Sequence, residues 1–176
     1  MMDNEHERLL KALETAIEME KDSKECYLEA IKTTENSLAR ELLQSFAEEE
    51  DIHQRKFVKI YSAVRANKTW PTMESTKVSD KKFKELLSNT CMAIGIDATA
   101  SATHIHVLDT AIDKEDTSYN FYKEKASRST FESERSFYNT LALEEREHYL
   151  ILVDYKEFLV DPAGWVIEHE HLSMDG

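Results

Sequence analysis

The chain has 176 residues, with 35 Asp and Glu against 22 Lys and Arg and a formal net charge of −13. Such a charge repels phosphate backbones and anionic membrane surfaces, so neither nucleic acid nor a membrane is an expected partner. With only 3 Gly and 2 Pro, long helices with few turns are expected, and the predicted fold class is all-α with a size that supports one real core. No apolar run is long enough to span a bilayer, and Met1-Met2-Asp3-Asn4-Glu5 lacks the basic flank and apolar core of a signal peptide. Cys26 and Cys91 do not make the paired Cys-x-x-Cys units of a four-cysteine metal centre. Reduced thiols in a cytoplasmic protein are the expectation.

Asn4, with Glu7 three residues on, is the expected cap of the first helix. Its stripe reads Leu10, Leu13, Ile17, Glu20, Lys24, Tyr27, Ile31, an apolar seam broken by Glu20, with the Lys24 stem lying along it and the amine reaching water. Glu18 and Glu25 fall off the stripe and read as solvated. Thr33-Thr34-Glu35-Asn36-Ser37 is a turn, which makes the next helix an antiparallel neighbour. That helix runs to about Arg65 on Leu43, Phe46, Glu50, His53, Phe57, Ile60 and Val64. Over residues 66–103 the seam lapses into a crossover: a loop at Lys68-Thr69-Trp70-Pro71-Thr72, a shorter helix capped by Ser79 or Asp80, and Gly95 to end it. The third long helix reads Ile105, Leu108, Ile112, Glu115, Tyr119, Tyr122, Ala126. Ser129 and Glu132 form the expected capping box of the fourth, which reads Tyr138, Leu141, Glu145, His148, Leu152, Tyr155, Leu159 and stops before Asp161-Pro162. Residues 1–160 are thus expected to form a four-helix bundle with one long crossover, of the ferritin-like class. Residues 161–176 form a tail anchored by Trp165. His6 and the pairs His104/His106 and His169/His171 read as surface histidines, because i, i+2 spacing does not share a helical face.

The third and fourth long helices repeat the first two. One offset of 95 positions relates Glu20 to Glu115, Tyr27 to Tyr122, Glu50 to Glu145 and His53 to His148 without a gap, so a helical hairpin is used twice. Each Glu-x-x-His aims a carboxylate and an imidazole at one point. One copy in so acidic a chain is unremarkable, but two copies on apolar seams are not. Four carboxylates and two imidazoles at one level of a core repel one another and are poorly solvated, and two divalent cations would neutralise them. One Glu from each of two helices and Glu-x-x-His from each of the other two is the ligand set of di-iron and di-manganese carboxylate bundles. Glu50 and Glu145 would bridge the metals, Glu20 and Glu115 would be terminal ligands, and His53 and His148 would bind one metal each. Iron and manganese both suit these donors. Tyr27 and Tyr122 lie two turns beyond Glu20 and Glu115, either as core aromatics or as hydrogen-bond donors to a ligand carboxylate across the bundle.

The halves Ala16-Ile17-Glu18-Met19-Glu20 through Glu50-x-x-His53 and Ala111-Ile112-Asp113-Lys114-Glu115 through Glu145-x-x-His148, with the ending Asp161-Pro162-Ala163-Gly164-Trp165, resemble the rubrerythrin branch of the ferritin-like superfamily. The resemblance implies a dimeric di-iron protein that reduces hydrogen peroxide. Its two iron ions would be held by Glu20, Glu50, His53, Glu115, Glu145 and His148, with Tyr27 and Tyr122 acting beside them. The chain departs from that pattern twice. It lacks the cysteines of a rubredoxin domain, so electrons would come from a separate redox protein such as a rubredoxin. Where the family carries an extra carboxylate near the third-helix ligand, Ile112 and Ser118 stand one turn from Glu115. Iron uptake and storage, and a metal-free or zinc-filled bundle that binds a partner, are the competing expectations.

Overall fold

The computed structural model describes residues 2–67, 70–71, 80–95 and 100–174. They form six helices, α1 (Met2–Lys32), α2 (Ser37–Asn67), α3 (Asp80–Ile94), α4 (Ala102–Arg128), α5 (Glu132–Val160) and α6 (Pro162–Met174), with no strand among the described residues. The architecture is an all-α, ferritin-like bundle, and no described helix is long and apolar enough to cross a membrane. Short polar side chains set three of the helix starts by accepting backbone N–H groups that have no partner within the helix. Asn36 Oδ1 takes Ala39 N–H at 2.8 Å before α2, and Ser101 Oγ takes His104 N–H at 3.1 Å before α4. Asp161 Oδ1 takes Gly164 N–H at 3.0 Å, with Pro162 at the first helical position, where its missing N–H costs no helical bond. Gly95 at φ 78° ends α3 as expected, its N–H returning to Cys91 O at 3.1 Å.

Several boundaries differ from the sequence reading. Helix α1 starts at Met2, ahead of the expected cap Asn4, and α2 continues past Arg65 to Asn67. Ser129 closes α4 instead of opening a capping box. Its backbone is extended (φ −67°, ψ 135°), its hydroxyl donates to Lys125 O at 2.8 Å, and its carbonyl accepts from Arg135 Nη2 at 3.1 Å. Helix α5 starts after Phe131 without a side-chain cap, and Glu132 and Glu134 in its first turn place negative charge at the positive end of the helix dipole. Lys68, Thr69, Thr72 and the alternative cap Ser79 lie outside the described residues.

Helix α1 packs along α2, α4 along α5, and α1 against α4, while α3 lies on α2 and α5, and α6 folds back on α5. Contacts of Lys24 with Asp51, Ile17 with Gln54 and Glu14 with Tyr61 climb one helix while descending the other, so α1 and α2 are antiparallel. The seams of α2 and α5 are buried at every expected position. On α1 and α4 the expected Leu13, Glu20, Tyr27, Leu108, Glu115, Tyr122 and Ala126 are buried, but the positions between them move by one residue, with Leu9, Ala16, Ser23, Ala111 and Ser118 buried and Leu10, Ile17, Ile112 and Tyr119 only half-buried. His104 also departs from expectation: it is buried, with Nδ1 2.7 Å from Thr33 Oγ1 and Nε2 3.4 Å from Tyr155 OH. Burial lowers its pKa. His106 is exposed, His6 and His169 are half-buried, and the side chain of His171 lies outside the described residues. Trp165 anchors α6 as expected, donating from Nε1 to Asp154 Oδ1 at 2.5 Å.

At the opposite end, Arg8 Nη2 lies 3.2 Å from Glu134 Oε1, and the Glu134 side chain has no exposure. Arg8→Ala is expected to cost about 1–3 kcal/mol in denaturant unfolding, by leaving a buried acceptor short of its partner. An unchanged midpoint would mean that the backbone around Thr130 and Phe131 already satisfies Glu134.

Candidate metal centre

Midway along the four long helices the apolar seam gives way to six polar side chains, none more than 2 % exposed: Glu20 on α1, Glu50 and His53 on α2, Glu115 on α4, and Glu145 and His148 on α5. All six residues singled out in the sequence meet here. They fall into two groups, Glu20, Glu50, His53 with Glu145, and Glu50, Glu115, Glu145 with His148. Within each group one donor atom per residue lies within 4.8 Å of every other. Glu50 and Glu145 belong to both groups, so the two sites share a pair of carboxylates.

Each imidazole turns the same edge inward. His53 Nδ1 is 3.1 Å from Glu20 and 3.5 Å from both Glu50 and Glu145, and His148 Nδ1 is 3.3 Å from Glu50 and 3.5 Å from Glu115. The outer nitrogens face a second pair of acids that the apolar stripe did not reveal. His148 Nε2 lies 2.7 Å from Glu49 Oε2, and His53 Nε2 lies 3.1 Å from Glu144 Oε2. Both acids directly precede a seam glutamate and stand at the same 95-residue offset, the one signal that would have found them. Tyr27 OH donates to Glu115 Oε1 at 2.5 Å, and Tyr122 OH donates to Glu20 Oε1. Each tyrosine therefore reaches across to the glutamate of the other half, and these contacts carry the two-fold of the repeat.

Burial, followed by repulsion from Glu20 and Glu115, pushes the Glu50 carboxyl up to about 8. Burial and the charges on Glu50, Glu115 and Glu20 push Glu145 well above the usual carboxylate range. Burial opposes a charge on His53 and His148, yet the surrounding carboxylates outweigh it and hold both imidazoles well above their ordinary value. Burial and the glutamates raise Tyr27 and Tyr122, so both remain neutral donors. The protein alone leaves this cluster unsatisfied: both oxygens of Glu50 and of Glu145, Glu115 Oε2 and His148 Nδ1 are buried without an aligned hydrogen-bond partner. Native folds rarely tolerate so many such atoms. Carboxylate oxygens with imidazole nitrogens, converging in two groups that share two acids, fit a pair of divalent cations.

The comparisons agree with that chemistry. A family model described as rubrerythrin matches residues 11–156, a span that takes in all six of these side chains. No curated protein and no solved structure matches the chain. Shared carboxylates, a repeated helical hairpin and a match over most of the length lead to one assignment: the chain belongs to the rubrerythrin family.

Proposed function

We propose that the protein is a rubrerythrin-type di-iron oxidoreductase that reduces hydrogen peroxide or oxygen with electrons from a separate redox protein such as a rubredoxin. In this reading it works as a cytoplasmic homodimer in oxidative-stress defence. The observation that carries the proposal is the shared pair Glu50 and Glu145, whose four oxygens are buried without an aligned hydrogen-bond partner. Iron held there would supply one-electron redox capacity and Lewis acidity toward peroxide or oxygen, and manganese suits the same donors. Glu50 and Glu145 would hold both ions, and Glu20 and Glu115, held in place by Tyr122 and Tyr27, would hold one each. Glu49, hydrogen-bonded to His148 Nε2 at 2.7 Å, keeps that ring's proton there and leaves its Nδ1 lone pair free to ligate, and Glu144, 3.1 Å from His53 Nε2, stands in the corresponding place. Phe46 and Phe83, with ring centroids 4.8 and 5.8 Å from that of His148, keep water from this side of the cluster. The tyrosines hold a proton at its edge. Burial raises both thiols, Cys91 to about 12.

Glu49→Ala and Glu144→Ala are each expected to weaken metal binding by about 10–100-fold, as loss of a carboxylate behind a ligating histidine does. Competition with a coloured chelator measures this, and unchanged affinity would make the two acids mere neighbours. The function itself is tested by mixing reduced, iron-loaded protein with hydrogen peroxide in a stopped-flow instrument. Rapid oxidation is expected, with re-reduction by a nicotinamide cofactor only when an electron carrier is added. Rapid unaided turnover would contradict the need for a donor. A reaction much faster with oxygen than with peroxide, in a cage-sized assembly, would reassign the protein to iron oxidation and storage.

A further inference from the structure

Three oxidisable rings lead away from the acid cluster on one side. Tyr122, hydrogen-bonded to Glu20, stacks on Tyr138 with ring centroids 6.0 Å apart and planes 20° apart, and Tyr138 meets Trp70 at 5.5 Å. The two tyrosines have no exposure and Trp70 has 6 %, so the run leads from the buried carboxylates to the edge of solvent. Among the described residues neither Tyr138 OH nor Trp70 Nε1 has a hydrogen-bond partner, so these polar atoms are not there to tie the bundle together.

The internal repeat provides a comparison within the same molecule. The 95-residue offset relates Tyr122 to Tyr27 and also Trp70 to Trp165, but it sets Leu43 opposite Tyr138. The equivalent run, Tyr27, Leu43 and Trp165, therefore keeps both ends and has an aliphatic side chain in its middle. Tyr27 instead faces Phe46, and Phe46 faces Phe83, at 5.3 and 4.8 Å. Phenylalanine is far harder to oxidise than tyrosine or tryptophan. The two halves thus fill their cores with rings, and only one does so with a connected oxidisable series.

We propose that Tyr122 and Trp70, bridged by the Tyr138 ring, form a route by which oxidising equivalents leave the metal centre for the protein surface when no electron donor is at hand. The proposal rests on the redox reading above. In the first step Tyr122 gives one electron to the oxidised centre, and its phenolic proton crosses the existing hydrogen bond to Glu20 Oε1. In the second, Trp70 gives one electron to the Tyr122 radical, the proton returns from Glu20 to the Tyr122 oxygen, and Trp70 is left as a radical cation. A thiolate-class reductant in solution then returns one electron to Trp70. Tyr138 has no base at its hydroxyl to take a proton, so it serves as a bridge and not as a resting place for the radical, whereas an indole is oxidised without first losing its proton.

The test uses the full chain loaded with ferrous iron and mixed with excess hydrogen peroxide without a reductant. Freeze-quenched samples are read by electron paramagnetic resonance, oxygenated residues are mapped by mass spectrometry, and iron content is measured alongside. A tyrosyl signal giving way to a tryptophanyl one is expected, with oxygenation at Trp70 and none at the more exposed Trp165. Trp70 oxygenation should be lost in Tyr122→Phe, retained in Tyr27→Phe, retained in Tyr138→Phe and lost in Tyr138→Leu, which copies the other half. A protein that holds iron and consumes peroxide yet leaves Trp70 unmodified, or is affected equally by Tyr27→Phe and Tyr122→Phe, overturns the relay and leaves the di-iron reading standing. A chain that holds no iron overturns both.

Discussion

Glu50→Gln and Glu145→Gln proteins are expected to emerge from gel filtration with no bound iron, whereas Glu20→Ala and Glu115→Ala should each retain one ion of the pair. The gradation follows from the way the groups overlap. Glu50 and Glu145 belong to both, while Glu20 belongs to one and Glu115 to the other. An amide keeps the shape of the side chain but removes a charge that both ions need, so a single change at a shared position dismantles two sites. At an unshared position the other group keeps its two common carboxylates and its histidine. Elemental analysis of the four variants checks this. Equal retention in all four would mean that the carboxylates do not divide into shared and private ligands.

Removing the metals should leave a protein whose stability falls as pH rises from about 5 toward 8. The Glu50 carboxyl is pushed up to about 8 by burial and by Glu20 and Glu115, while in the unfolded chain it titrates near ~4.3. Between those values the folded apo-protein binds a proton that the unfolded chain has lost. Each such group then makes the unfolding free energy decline with pH, by at most about 1.4 kcal/mol per unit. Glu145, raised by burial and by Glu50, and the two raised histidines add with the same sign. Glu20 runs the other way: burial opposes its charge, yet His53 and further hydrogen bonds lower it. Its contribution is lost only as pH falls below the ordinary glutamate range. Metal binding needs deprotonated ligands, so the metal-loaded protein should gain most over the apo form at the alkaline end. Thermal unfolding with metal and with chelator across this range checks the slope. Glu145→Gln without metal should unfold no more easily at neutral pH than wild-type apo-protein, since the amide replaces a carboxyl that the fold keeps protonated at a cost the unfolded chain does not bear. Strong destabilisation by Glu145→Gln, with no effect of chelation on the wild type, would make the acids partners in some other network.

The core of this site was legible because helical periodicity and metal ligation impose the same spacing. Glu50 and His53, like Glu145 and His148, occupy seam positions flanked by Phe46 and Phe57 or Leu141 and Leu152, so burial could be inferred from neighbours. The 95-residue repeat then brought in Glu20 and Glu115. What escaped the sequence was set by size and by tertiary contact. On α1 and α4 the large apolar residues Ile17 and Ile112 drew the inferred face away from Ala16 and Ala111, which are the residues buried. Glu49 and Glu144 sit off the seam of their own helices and are drawn in only by a histidine on the facing one. His104 has no partner within its own helix face, because Thr33 and Tyr155 come from two other elements. Ser129 had the spacing of a capping box and instead back-bonds into the helix it ends.

The central claim is that one acid cluster holds two metal ions. Crystals of the iron-loaded protein, with anomalous diffraction measured on both sides of the iron absorption edge, test it most directly. The expected result is two edge-dependent peaks per bundle, one among Glu20, Glu50, His53 and Glu145 and the other among Glu50, Glu115, Glu145 and His148, with both histidines approaching through Nδ1. A single peak at full occupancy, peaks confined to the acidic surface, or an empty cluster in metal-replete protein would contradict it.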